Sequence, residues 1–319
     1  MTIVLAAISA TALLPSSPAR AEKSCYPDSM VGSAPTLHPE GIAYDPTRER
    51  FLVGSVKHGT VSIVNLDGSV NTLVSDPALI TTMGITVDTP RNRILVVNGD
   101  IGIADRTSPQ TNGKTAGLGI YDLASGQRIA YVDLGSLDTG HGHFGNDVTV
   151  GPDGSAFVTD SVSGAVYEVS LTGAPSILVR DDQLVPVGKG NGANGIVWNP
   201  DGFLLVAQSS ARALYRVALD GSRTVARVAV DAPIGAPDGL LLDGPSTIQE
   251  IDNTSANRVV TLDSTDHWRT ATVANSLAWP DPAPTTIARG ACGTYVLTGR
   301  LDLLLSGKPS DEYRIRRLG

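Results

Sequence analysis

One pattern returns six times along the 319 residues: a small loop residue, often Gly, and then an apolar, alternating strand. The copies are HPEGIAYDPTRERFLVG from His38, TMGITVDTPRNRILVV from Thr82 and GNDVTVGPDGSAFVTD from Gly145. Then come ANGIVWNPDGFLLVAQ from Ala193, PDGLLLDGPSTIQEID from Pro237 and PTTIARGACGTYVLTG from Pro284. Aligned on the start of the strand, the equivalent residues are Glu40, Met83, Asn146, Asn194, Asp238 and Thr285, separated by 43, 63, 48, 44 and 47 residues. A repeat of about 40–50 residues carrying several short strands reads as a propeller blade. The expected fold class is therefore all-β, a six-bladed β-propeller.

In such a fold the first strand of every blade lines the central channel, so the six equivalent residues form a ring at one mouth. That ring holds two carboxylates (Glu40, Asp238), two amides (Asn146, Asn194), a thioether (Met83) and a hydroxyl (Thr285). Glu40, Asn146, Asn194 and Asp238 converging on an axis make a hard, all-oxygen site whose two carboxylates balance a divalent cation. The set suits Ca²⁺ or Mg²⁺ better than a thiophilic metal. Taken singly, Asn, Asp or Glu before Gly is also what an ordinary turn demands. Four aligned strand starts together point to metal.

The four motifs PEG, ND, ANG and PDG, in this order and at this spacing, resemble those of the senescence marker protein (regucalcin)/gluconolactonase family, among the calcium-dependent phosphotriesterase-like propellers. The resemblance runs from about Pro35 to the C-terminus. It implies a catalytic divalent cation held by Glu40, Asn146, Asn194 and Asp238, with Ca²⁺ expected and Mg²⁺, Mn²⁺ or Zn²⁺ as alternatives. Asp147, after the first Asn, matches a feature of paraoxonases.

Composition narrows the setting. With 41% hydrophobic and 18% charged residues the chain can bury a large core, and 34 Gly and 20 Pro fit many tight turns between short strands. The net charge of −8 with no basic cluster argues against nucleic acid and against an anionic membrane surface. A small-molecule substrate and a monomer are expected. Ile3 to Leu14 is mostly apolar and too short to span a bilayer, and Ala19-Arg20-Ala21 is an A-x-A pattern. The n-region has no Lys or Arg, a departure from the usual leader. Residues 1–21 are read as a signal peptide, 22–319 as a single propeller domain, and the protein as secreted or periplasmic. Cys25 and Cys292 are the two cysteines. An even pair in an exported protein reads as a disulfide, and an N-terminal segment completing the last blade would bring them together.

Other candidates are weaker. His141 and His143 stand in GHGHFGND just before Asn146 and could supply a base, a proton shuttle or a further ligand; a solvent-exposed Gly-rich loop explains them equally well. His38 lies two residues from Glu40. Residues 99–117 are polar and Gly-rich and read as a surface loop or a lid over the channel mouth. GNGANG from Gly190 matches G-x-G-x-x-G, but a β-strand follows it, so no dinucleotide site is expected. No G-x-S-x-G elbow occurs, which disfavours a serine hydrolase.

The function expected is metal-dependent hydrolysis of lactones or esters, with the cation polarising the carbonyl and Asp238, or else His143 or His141, as base. A non-catalytic metal- or ligand-binding propeller is one alternative. A strictosidine synthase-like propeller is the other, and the retained Glu40, Asn146, Asn194 and Asp238 argue against it.

Overall fold

A computed structural model describes residues 25–253 and 257–319. The signal peptide expected over residues 1–21 lies outside the described residues. The fold is all-β and propeller-like. Its unit is a four-stranded antiparallel meander whose second strand is buried almost throughout, with strands joined by Asp-Gly and similar turns. In GPDGS, Gly154 has φ +89°, its N–H returns to Gly151 O at 3.0 Å, and Asp153 Oδ1 accepts from Ser155 N. Only glycine adopts that φ without strain.

Ile42–Asp45, Arg50–Gly54, Thr60–Val64 and Val70–Ser75 form one meander. Thr81–Asp88, Arg93–Gly99, Lys114–Asp122 and Arg128–Asp133 form the next. His143–Val150, Ala156–Asp160, Ala165–Val169 and Pro175–Arg180 follow. A short parallel pairing of His143 and Phe144 with Lys114 and Thr115 joins these last two into one eight-stranded sheet. Ala193–Asn199, Phe203–Gln208, Ala213–Ala218 and Val225–Arg227 make another meander. Pro237–Leu242, Thr247–Asp252, Arg258–Asp263 and Thr270–Ala278 follow, with Ala229–Val230 added in parallel at the outer edge. In the last sheet, Pro284–Gly290, Gly293–Thr298 and Glu312–Arg317 take their outermost strand, Ser29–Ser33, from the other end of the chain.

That exchange closes the molecule. The first strands of successive meanders touch in chain order, and Pro284–Gly290 touches Ile42–Asp45. Cys25 and Cys292 form the expected disulfide, with Cα atoms 5.7 Å apart across 267 residues of sequence. The core lies between neighbouring sheets: Phe203, Leu205 and Leu214 pack with Ile248, Val260, Leu262 and Trp268.

One segment departs from the strand pattern. After the strand Gly293–Thr298, Leu301–Leu305 is a short α-helix. Gly299 and Arg300 break the strand, Arg300 at φ +57°, and leucine is a strong helix former once the ladder has ended. Residues one turn apart, Leu301 and Leu305, then face the same cavity.

Candidate metal centre

All six residues aligned by the repeat, Glu40, Met83, Asn146, Asn194, Asp238 and Thr285, line one cavity of about 630 Å³. A smaller cavity of about 20 Å³ lies against Glu40, Asn146, Asn194 and Asp238 as well. Its remaining lining includes Gly41, Gly84, Asp147, Gly239 and Thr286, each the residue after a member of the first set.

A repeated backbone irregularity lets consecutive residues serve both cavities. The pairing of first to second strand slips between Thr82 and Ile85, Gly145 and Val148, Ala193 and Ile196, and Pro237 and Leu240. Each slip is a bulge centred on the site pair, and a bulge places an extra residue against one partner and re-aims its side chain. The glycine after the donor residue is also a packing requirement. A Cβ on Gly195 would lie 2.2 Å from Asp238 O, and one on Gly84 would lie 2.1 Å from Asp147 Oδ1.

The amides are oriented by serines from the second strand's end. Asn146 Nδ2 donates to Ser161 Oγ at 2.9 Å, and Ser161 Oγ donates to Ala193 O at 2.6 Å. The next meander repeats the relay: Asn194 Nδ2 to Ser209 Oγ at 2.9 Å, and Ser209 Oγ to Pro237 O at 2.6 Å. These bonds fix the planes of both amides at the cavity wall. Asp238 Oδ2 accepts from Asn253 Nδ2, and Thr285 Oγ1 is spent on Glu40 O at 2.9 Å.

The electrostatics of this set are unbalanced. Glu40, Asn146, Asn194 and Asp238 are all buried. Burial, and then the neighbouring Asp238 and Asp147, hold Glu40 well above the usual carboxylate range. Burial, with a smaller contribution from Asp147, pushes Asp238 up to about 7, opposed by bonds from Asn194 and Asn253. Burial raises Asp147 to about 6 against the N–H groups of Val148 and Ile196. Among the described residues no Lys, Arg or His side chain forms an ion pair with any of the three. Buried carboxylates without a basic partner are costly unless a cation joins them. No three His, Cys, Asp or Glu side chains among the described residues form a metal site by themselves. The amide oxygens must complete any such centre, and a mixed carboxylate and amide set is oxygen chemistry suited to a hard divalent ion. The donor set fits the expected cation.

The histidines expected as base candidates lie elsewhere. His143 is buried, its Nδ1 2.7 Å from Asp160 Oδ2 and its Nε2 2.7 Å from Asp138 O. Both partners only accept, so the ring satisfies both as imidazolium, and the Asp160 bond raises its pKa. Asp160 Oδ1 also takes the N–H groups of Phe144, Val162 and Ser163, so this pair braces the strand start that carries Asn146. His141 is exposed and pairs with Asp138 at 2.8 Å. Neither histidine lines the cavity. His38 Nδ1 bonds Gly299 O and its Nε2 accepts from Ser310 N, tying the chain's start to its last sheet.

The polar insertion does reach the mouth: Ile101 and Ile103 line the cavity, and Asp100 orders the loop by accepting from Gly102 N, Thr107 Oγ1 and Thr111 Oγ1. Lys189 and Arg212 also line it, and no repeat pattern marked them.

Among known proteins, a family model described as the SMP-30/Gluconolactonase/LRE-like region matches residues 38–250. No curated protein matches the chain. Solved structures with the same fold include the major allergen Mala s 1 of Malassezia sympodialis, 16% identical with a TM-score of 0.73, covering 92% of this chain and 97% of that one. A gluconolactonase from Xanthomonas campestris is 16% identical with a TM-score of 0.61, covering 88% and 86%. Virginiamycin B lyase from Staphylococcus aureus is 14% identical with a TM-score of 0.53, covering 91% and 100%. At these identities the likeness is one of fold, and folds of this kind host unrelated chemistries.

Proposed function

The chain belongs to the SMP-30/gluconolactonase/LRE-like family, and from that premise we propose that it is an extracytoplasmic, divalent-cation-dependent hydrolase of lactones or esters. The observation that carries this reading is the convergence of Glu40, Asn146, Asn194 and Asp238 on one cavity with no basic partner. Each four-stranded meander is taken as one blade, which makes the molecule a six-bladed propeller. Its domain spans residues 22–319, its leader is residues 1–21, and its central channel is the 630 Å³ cavity. The disulfide supports an oxidising location. No helix among the described residues is long and apolar enough to cross a membrane.

Glu40, Asn146, Asn194 and Asp238 would hold the cation, Ca²⁺ or another divalent ion. When bound, it would supply Lewis-acid polarisation of the substrate carbonyl and offset the negative charge developing on its oxygen. The protein's own contribution is placement and proton handling. The Ser161 and Ser209 relays hold the amide oxygens in place. Asp238, held by Asn253 through Oδ2, takes a proton from the attacking water. Met83 and Phe144 form apolar walls that limit water around the reacting carbonyl. His143 acts through Asp160 on the position of Asn146.

The test is elemental analysis of the purified protein, joined to a panel of lactones, aryl esters and phosphotriesters run with and without chelator. The expected result is bound divalent metal, with hydrolysis lost on chelation and restored by Ca²⁺ or another divalent ion. Glu40→Gln and Asp238→Asn should each weaken cation affinity. A metal-loaded, folded protein inactive across the panel would leave a binding propeller and no hydrolase.

A further inference from the structure

The upper cavity is two-faced. Ile101, Ile103, Leu301 and Leu305 line it from the second and last meanders, which flank the first and its Val56. Leu305 is 64% exposed and Ile101 38%, so apolar surface continues to the rim. Lys189 and Arg212 line it from the loops around the fourth meander, across the ring from that apolar side. Neither cation has an ion-pair or side-chain hydrogen-bond partner among the described residues, although the chain carries a net charge of −8.

Their loops are braced together. Val187 N donates to Ser210 Oγ and Ser210 N to Asn191 O, both at 2.9 Å. Gln208 Oε1 accepts from Ala211 N, and its Nε2 donates to Val185 O. The backbone that presents the two charges is thus organised before any ligand arrives. Two unpaired cations facing an apolar wall are complementary to one kind of molecule.

We propose that the cavity selects an amphipathic organic anion: a lactone or ester whose anionic group lies by Lys189 and Arg212 and whose hydrocarbon chain lies against Ile101, Ile103, Leu301 and Leu305. This substrate class rests on the hydrolase reading above, but the recognition itself is a binding event. A cavity of about 630 Å³ falls within the range of about 300–1,000 Å³ that holds drug-sized ligands, so it has room for such a chain.

The test is calorimetric binding of decanoate and of decanol, which differ in charge at equal chain length. It is run on chelator-treated and on Ca²⁺-loaded protein, so that a carboxylate bound to metal is recognised. Decanoate should bind more tightly than decanol in both states, less so at high salt. The double variant Lys189→Ala/Arg212→Ala should weaken decanoate at least about fivefold, the scale of partly exposed charge pairs, and leave decanol unchanged. The charge-reversed double variant Lys189→Glu/Arg212→Glu should weaken it further. Ile101→Ser/Leu305→Ser should weaken both ligands alike. Equal binding of decanoate and decanol by the wild type would overturn the inference, as would decanoate affinity indifferent to both cation variants. Decanoate binding by a protein inactive on every ester would sink only the hydrolase reading. Hydrolysis of small neutral lactones without any preference for decanoate would sink only this one.

Discussion

Asn194 donates its amide hydrogen to Ser209, Nδ2 to Oγ at 2.9 Å, and that bond fixes the plane of the amide at the cavity wall. Ser161 does the same for Asn146 one meander earlier. Ser209→Ala and Ser161→Ala should therefore lower cation affinity by about 10–100-fold each, the usual scale for partners that orient a ligand. Titration calorimetry with Ca²⁺ checks this. Unchanged affinity in both variants would remove the relay from the account of the site.

His143 and His141 are two residues apart but should behave very differently. His143→Ala breaks a buried, doubly bonded ion pair with Asp160 and should cost about 3–5 kcal/mol of unfolding free energy. His141→Ala removes only an exposed pair with Asp138 and should cost about 0–1 kcal/mol. Denaturant titrations of the two variants read the difference. If His141→Ala instead abolished ester hydrolysis in a stable protein, the loop histidine would be the base.

Glu250 gives the molecule a pH dependence of its own. It lies between Leu240 and Val260 in the sheet, fully buried, with neither carboxylate oxygen hydrogen-bonded. Burial, with some help from Asp252, raises its pKa from 4.5 to about 8, against the attraction of Arg258. The folded protein keeps this proton between those values while the unfolded chain has lost it. Stability should therefore fall as pH rises from about 4.5 to about 8, by a few kcal/mol at most. In Glu250→Gln that share of the fall should vanish. The difference between wild-type and variant unfolding energies at pH 5 and pH 8.5 isolates it from the cavity carboxylates. Parallel curves would mean that Glu250 titrates normally.

The Cys25–Cys292 bridge spans 267 residues. In the chain-entropy treatment a crosslink of that length contributes about 5 kcal/mol. The Cys25→Ser/Cys292→Ser double variant should melt lower by a corresponding margin. It should still bind Ca²⁺ with near-wild-type affinity, because Ser29–Ser33 remains paired with Glu312–Arg317. Loss of cation binding along with the bridge would show that the closing strand depends on the disulfide.

The sequence by itself determined the all-β, propeller-like unit and the residues at each strand start. Equal positions in equal repeats are carried to equal places, so Glu40, Asn146, Asn194 and Asp238 had to meet if the repeats closed on themselves. The disulfide followed from the same closure. Tertiary structure alone decided everything that depends on neighbours distant in the chain. The bulges set Asp147 beside Glu40 and Asp238, where alternation alone would have turned it away. Packing against Asp160 took His143 into the core, although GHGH reads as an open loop. LDLLL became a helix because its strand had lost a ladder to continue. Lys189, Arg212 and Leu305 carry no periodic signal, and they share a cavity only because loops far apart in sequence end at the same mouth. Repetition is local information that a strand pattern records; convergence of unlike loops is set by ring closure, which no single segment encodes.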